Sequence, residues 1–358
     1  MSIVLSDEPL DCLNECKSLL INLALDKRNA QMIAGDTGQG LKILIGRSYE
    51  SSDVLMMKLI RNIASHDDHV TQPYFVDHAV RFASTVASDC TENGRSNSNN
   101  AALRSNRQTD QLSNMDFLFS LECLRVLNQM TDSSIDWPQI FRDTELDEWI
   151  RQRLVSDSSA DDVLLEVIIL LGTVASANVG GAELILTNHY IDPLIALLSA
   201  KQEDDEIVLQ VVYLFYQLML QPSTRRHIVA TTQVPAYLID LMHDKNVQIR
   251  KLCDSTLEAI AESGTEWAQR IAEERFRWHN AQWLEMVTDP DGVMPIHGES
   301  AENERYALDD ESDFEPMSAR LVDELYGLQA DDILDNYESE TERPTGRLEK
   351  RDFNSADR

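Results

Sequence analysis

From Asp11 to about Val287 apolar residues recur at i, i+3, i+4 and i+7, the spacing that lays one side of a helix against a core. Six of these segments end alike: INLALD, RNIASHD, NQMTDSS, GTVASAN, YQLMLQP and EAIAESG. They place Leu23, Ile63, Met130, Val174, Leu218 and Ile260 at one shared position, with spacings of 40, 67, 44, 44 and 42. In the fifth segment Ile207, Val208, Val211, Val212, Leu214, Phe215 and Leu218 cover most of the helix circumference, which predicts a helix buried on several sides. Pro193 and Pro235 sit where a first turn is expected, because a missing N–H costs nothing there. The acidic breaks SADD (159–162) and QEDDE (202–206) precede buried helices and suit their N-terminal dipoles.

A period near 42 built from helices alone predicts an all-α, armadillo-type α-solenoid, a right-handed superhelix of helical repeats. Such arrays offer a long surface to other proteins, so the chain reads as a scaffold and not as a catalyst. The array is expected over residues 1–287, with about six repeats. Residues 89–114 interrupt it. They are rich in Ser, Asn and Arg and poor in large apolar side chains, which predicts a disordered insertion. Removing roughly 25 residues there restores the long spacing to the period. Residues 288–358 carry 21 acidic and 7 basic residues, a net of −14, and are expected to form an acidic, mostly disordered tail. Within it Leu321, Leu325 and Leu328 fall on one helical face, either as a segment that folds on a partner or by chance.

Charge narrows the partners. The chain holds 62 acidic and 31 basic residues, a formal net charge of −31. That field disfavours nucleic acid and anionic membranes, and favours a partner with a basic segment. Five scattered cysteines suggest a reducing compartment, and neither a signal peptide nor an 18-residue apolar run is present. No membrane insertion is expected.

Candidate chemistry is sparse. Gly35-Asp-Thr-Gly-Gln-Gly40 has phosphate-loop glycine spacing, but Leu41 stands where Lys is required, so it reads as a turn between helices. His66 and His69 stand three apart without a third ligand, and read as a solvated helix end. No catalytic, cofactor or metal constellation emerges, and none is expected.

Binding candidates come from the repeats. Asn22, Asn62, Gln129 and Gln217 each precede the shared apolar residue, while Thr173 and Ala259 interrupt the row. Amides there either clamp the backbone of an extended peptide or are ordinary exposed helix positions. Trp137, Trp149, Trp267, Trp278 and Trp283 do not follow the repeats, unlike those of nuclear-import armadillo proteins. Near the end, Phe276, Arg277, Trp278, His279, Asn280 and Trp283 form an aromatic cluster that either caps the last repeat or docks a partner.

PAYLIDLMHDKN (235–246) followed by EWAQRIAEERFRWHNAQWLEMV (266–287) closely resembles the end of the armadillo region in the kinesin-associated protein family. INLALDKRNAQMI (21–33), MKLIRNI (57–63), DDVLLEVIILLGTV (161–174) and AKQEDDEIVLQVVYLFYQ (200–217) extend the resemblance over roughly 13–287. It implies a non-enzymatic accessory subunit of heterotrimeric kinesin-II, binding the motor subunit tails and linking them to cargo adaptor proteins. Microtubule-based and intraflagellar transport, in the cytoplasm and the cilium, are implied with it. Family members carry further repeats on the N-terminal side, so an apolar edge is expected at Met1–Leu25. A general armadillo scaffold in adhesion or signalling is the other reading.

Overall fold

The computed structural model describes residues 13–66, 68–93, 107–132, 134–155, 160–177, 180–262 and 264–280, and all their regular structure is helical. In chain order the helices are α1 (Leu13–Leu23), α2 (Lys27–Ala34), α3 (Gln39–Glu50), α4 (Val54–Ala64), α5 (Gln72–Asn93) and α6 (Arg107–Asn128). Then come α7 (Trp137–Asp143), α8 (Leu146–Val155), α9 (Asp161–Ser176), α10 (Gly181–Thr187), α11 (Ile191–Ala200) and α12 (Asp205–Leu220). α13 (Pro222–Thr231), α14 (Val234–Leu241), α15 (Val247–Ala261) and α16 (Thr265–His279) complete the set.

Every third helix of a repeat packs against the next one. α1, α4, α6, α9, α12 and α15 form one layer in chain order, with the first and second helices behind them. The layer exists because its helices are apolar nearly all round. In α12, Ile207, Val208, Val211, Val212, Leu214, Phe215 and Leu218 are all buried. At the shared repeat position Ile63, Met130, Val174, Leu218 and Ile260 are 4% exposed or less. Leu23 differs, at 41% exposed. Among the described residues α1 packs chiefly on α4 and buries a single residue, Lys17.

The helix starts follow the acidic breaks. Asp204 accepts from the backbone N–H groups of Glu206 and Ile207, and Asp53 accepts from Met56 N–H. Asp161 and Asp162 open α9. These acids also tie neighbours together: Lys201 Nζ lies 2.5 Å from Asp161, and Lys245 Nζ lies 3.8 Å from Asp205, the same step one repeat later.

The expected insertion changes at both of its boundaries. α5 continues through Asn93 and α6 begins at Arg107, so helix occupies both ends of the expected insertion 89–114. The spacing of Phe82, Val86, Phe119 and Cys123, all buried, anchors these long helices to each other and carries them past their last apolar residue. Residues 94–106, and the expected tail at 288–358, lie outside the described residues.

The Gly35–Gly40 segment is the α2–α3 turn. Gly38 adopts the left-handed region at φ 72°, which suits glycine. A Cβ on Gly40 would stand 2.7 Å from Ala34 O and nearer still to Ile33 O. Gly40→Ala is therefore expected to cost about 2 kcal/mol, read as a lower urea midpoint for the loss of helicity. An unchanged midpoint would show that the turn relaxes freely.

Candidate protein-binding face

On each third helix, residues spaced four, three and four apart form one stripe turned toward the preceding third helix. On α6 the stripe includes Glu122 and Arg125 and runs on to Gln129 just past its end, on α9 it includes Asp162, Glu166, Ile169 and Thr173, and on α12 Glu206, Gln210, Tyr213 and Gln217. The four amides expected on this face, and the threonine that interrupts their row, hold different posts.

Asn62 is buried, and its Nδ2 donates to Ile21 O at 2.9 Å, binding α4 to α1. Thr173, also buried, donates its hydroxyl to Asn128 O at 3.0 Å, binding α9 to α6 in the same way. These two side chains are spent on the array itself. Asn22 lies exposed near the end of α1, and Gln129 lies just past the end of α6, half-buried. Gln217 is 8% exposed and makes no hydrogen bond among the described residues. The row that looked uniform in the sequence therefore divides into inter-repeat ties and free amides.

Charge divides the face as well. Glu122, at 2% exposed, receives Arg61 Nη1 at 3.1 Å on one oxygen and Arg125 Nη1 at 2.9 Å on the other. Arg125 Nε then donates to Glu166 at 2.5 Å, and Asn128 Nδ2 donates to the second Glu166 oxygen at 2.7 Å. Burial alone would lower the Arg125 guanidinium, but Glu166 and then Glu122 outweigh it and hold it above its ordinary value. From α4 to α9 the face thus neutralises itself. Beyond it, Glu206 has no basic partner among the described residues, and its carboxyl is pushed up by burial, then by Asp204, Glu166 and Asp162. The sequence did not single out Glu122, Arg125 and Glu166; the 44-residue step from Glu122 to Glu166, equal to the repeat, was the available signal.

The aromatic cluster sits on α16, which packs on α15 and α14 through Ile271, at 2% exposed. Phe276 and Trp278 are 55% and 50% exposed. The Trp278 ring lies 4.6 Å from the His243 ring, centre to centre, and Arg277 pairs with Glu274 at 2.9 Å. Asn280 closes the helix by donating Nδ2 to Phe276 O at 2.8 Å. His279 ends α16, and Trp283 lies outside the described residues.

Other candidates settle into structure. His66 is half-buried and its Nε2 lies 2.8 Å from Ala24 O, so it bridges two repeats where a solvated helix end was expected. Cys123 is buried and its thiol is pushed up to about 12, chiefly by burial. Among the described residues no group of three His, Cys, Asp or Glu is placed to hold a metal ion, and no helix is long and apolar enough to cross a membrane.

The model of the kinesin-associated protein (KAP) family matches residues 1–94 and 106–321. The chain belongs to the kinesin-associated protein family. The unmatched residues 95–105 fall within the expected insertion. Among solved structures, a designed armadillo repeat protein in complex with the peptide (KR)4 is similar at 15% identity and a TM-score of 0.53, covering 72% of this chain and 98% of that one. A second designed armadillo repeat protein gives 12% identity and a TM-score of 0.53 over 72% of this chain and 98% of its own. An engineered protein gives 17% identity and a TM-score of 0.55 over 74% of this chain and 96% of its own. These likenesses identify the fold as an armadillo-type solenoid. The family is of the kinesin-associated adaptor type.

Proposed function

We propose that the chain is an adaptor subunit of heterotrimeric kinesin-II, holding motor tails on its third-helix face and linking them to cargo adaptor proteins. The observation that carries this reading is the family match over residues 1–94 and 106–321. Microtubule-based movement in the cytoplasm, and intraflagellar transport in the cilium, follow from it as the setting. The charge supports a basic partner segment: net −31 overall, with Glu206 and Asp162 lacking a basic partner among the described residues. The similar designed protein that carries (KR)4 shows such a basic peptide on this architecture. In this reading Gln217, Gln129 and Asn22 meet the partner's backbone, while Asn62 keeps the spacing of the helices that present it. Exposed Phe276 and Trp278 favour docking over capping as the role of the α16 cluster.

Co-purification of the chain with the coiled-coil and tail segments of both kinesin-II motor subunits tests the reading. Stoichiometric capture is expected, weakening as salt shortens the screening length from about 10 Å at 0.1 M to about 3 Å at 1 M. Absence of capture at low salt overturns it.

A further inference from the structure

The third helices differ in sign along the array. α4 holds Lys58 and Arg61 and no acid, while α9 and α12 hold acids and no base. Lys58 stands 67 residues before Arg125, the step that also separates Ile63 from Met130, so the two cations share one register on α4 and α6. Arg61 follows Lys58 by three residues, which makes them neighbours on the surface of α4. Lys58 is half-buried and has no hydrogen bond or ion pair among the described residues. Both arginines keep donors in reserve. Arg61 gives Nη1 to Glu122, while its Nε and Nη2 reach only Asn62 Oδ1, each at 3.4 Å. Arg125 gives Nε to Glu166 and Nη1 to Glu122, and its Nη2 has no partner among the described residues. The two signs also lie at different depths. The Arg61 and Arg125 side chains are each 28% exposed, against 3% for Glu122 and 15% for Glu166. Solvent at α4 and α6 therefore meets the cations first, and Lys58 adds a charge that the carboxylates beneath leave unanswered.

We propose that α4 and α6 form a subsite for an acidic side chain of the bound segment, its carboxylate taken by Lys58 and Arg61, with Arg125 Nη2 the next donor along the face. The subsite rests on the reading of the third-helix face as the motor-binding surface, and it makes the charge of the partner segment uneven. Any segment laid over α4 strips water from Lys58, and that costs free energy unless an anion replaces the water. A carboxylate does so through charge-assisted hydrogen bonds, which are about twice as strong as neutral ones. A basic residue of the segment would instead meet a surface of like charge, and belongs over α9 and α12. α4 and α9 are two third helices apart, roughly 20 Å at 8–10 Å per step. About six extended residues cover that distance, so acid and base can lie on one short stretch of chain.

Two labelled peptides on one Ser/Gly backbone, carrying four glutamates or four glutamines, test the subsite by fluorescence anisotropy with the full chain at low salt. A net charge of −31 repels the glutamate peptide from the chain as a whole, so tighter binding of that peptide reports a local cationic site. The glutamate peptide is expected to bind about fivefold more tightly than the glutamine peptide. Lys58→Gln should remove most of that gap without lowering the melting temperature, since Lys58 makes no bond within the array. Lys42→Gln, at an exposed lysine on α3, should leave the gap unchanged. A glutamate peptide that binds no more tightly than the glutamine peptide overturns the subsite. So does a gap that survives Lys58→Gln, or one that falls equally with Lys42→Gln. If the same preparation still captures motor tails, the subsite alone has failed. If it captures neither peptide nor tails, the motor-binding reading has failed beneath it.

Discussion

Leu218→Asp is expected to unfold the α12 repeat and loosen both neighbours. Leu218 is fully buried at the shared repeat position, and no basic group stands near it on α12 to pair with an introduced carboxylate. Enclosing an unpaired charged group costs several kcal/mol, and the side chain would either protonate or push the helix out of the layer. Because each repeat contacts only its neighbours, the loss should spread through α9 and α15 and leave the region around α4 folded for longer. Circular dichroism should show a lower melting temperature and a broadened transition with reduced helicity. A soluble variant with unchanged helicity and melting temperature would mean that the shared position does not lie in the core.

The second large effect is expected at Glu122. Its carboxylate is almost fully enclosed, and both oxygens are taken by arginines from two helices. Glu122→Leu removes the acceptor, strands Arg61 and leaves Arg125 with Glu166 alone. Breaking an enclosed pair by deleting one partner costs about 3–5 kcal/mol, far above the 0–1 kcal/mol of an exposed pair. The side chains of Arg61 and Arg125 are each 28% exposed, so partial hydration should hold the cost near the lower end, about 3 kcal/mol. Urea titration of the variant reads this directly. Adding Arg61→Met to Glu122→Leu should recover part of the loss, because it removes the cation whose ion pair was Glu122, while Arg125 keeps Glu166. A deficit under about 0.5 kcal/mol would place Glu122 among ordinary surface pairs.

Much of the fold was legible because its main signal is a period. Apolar spacing announced the third helices, and Asp161, Asp162 and Asp204 announced where two of them start. Leu23 keeps the shared repeat position yet is 41% exposed, in line with the apolar edge expected at Met1–Leu25. The ends of α5 and α6 were misjudged because polar, Ser- and Asn-rich turns of helix carry no apolar stripe of their own. The amide row was legible as a row, but its chemistry was not. Whether Asn62 meets a ligand or Ile21 O depends on a carbonyl 41 residues away, and nothing local to Asn62 records that distance. The same holds for Glu122, which looked like one acid among 62 until two arginines closed on it.

The chain of Arg61, Glu122, Arg125 and Glu166 also has a bearing on how this array can be rearranged by recombination. Excising residues 161–204 would rejoin the chain in register, and Asp205 with Lys245 would then stand in for Asp161 with Lys201. By length the modules are interchangeable. By charge they are not, because Gln210 would then arrive opposite Arg125 where Glu166 belongs, and a half-enclosed guanidinium would lose its strongest partner. The side chains at these junctions act as an address, so gain or loss of whole modules is tolerated only where the neighbouring address agrees.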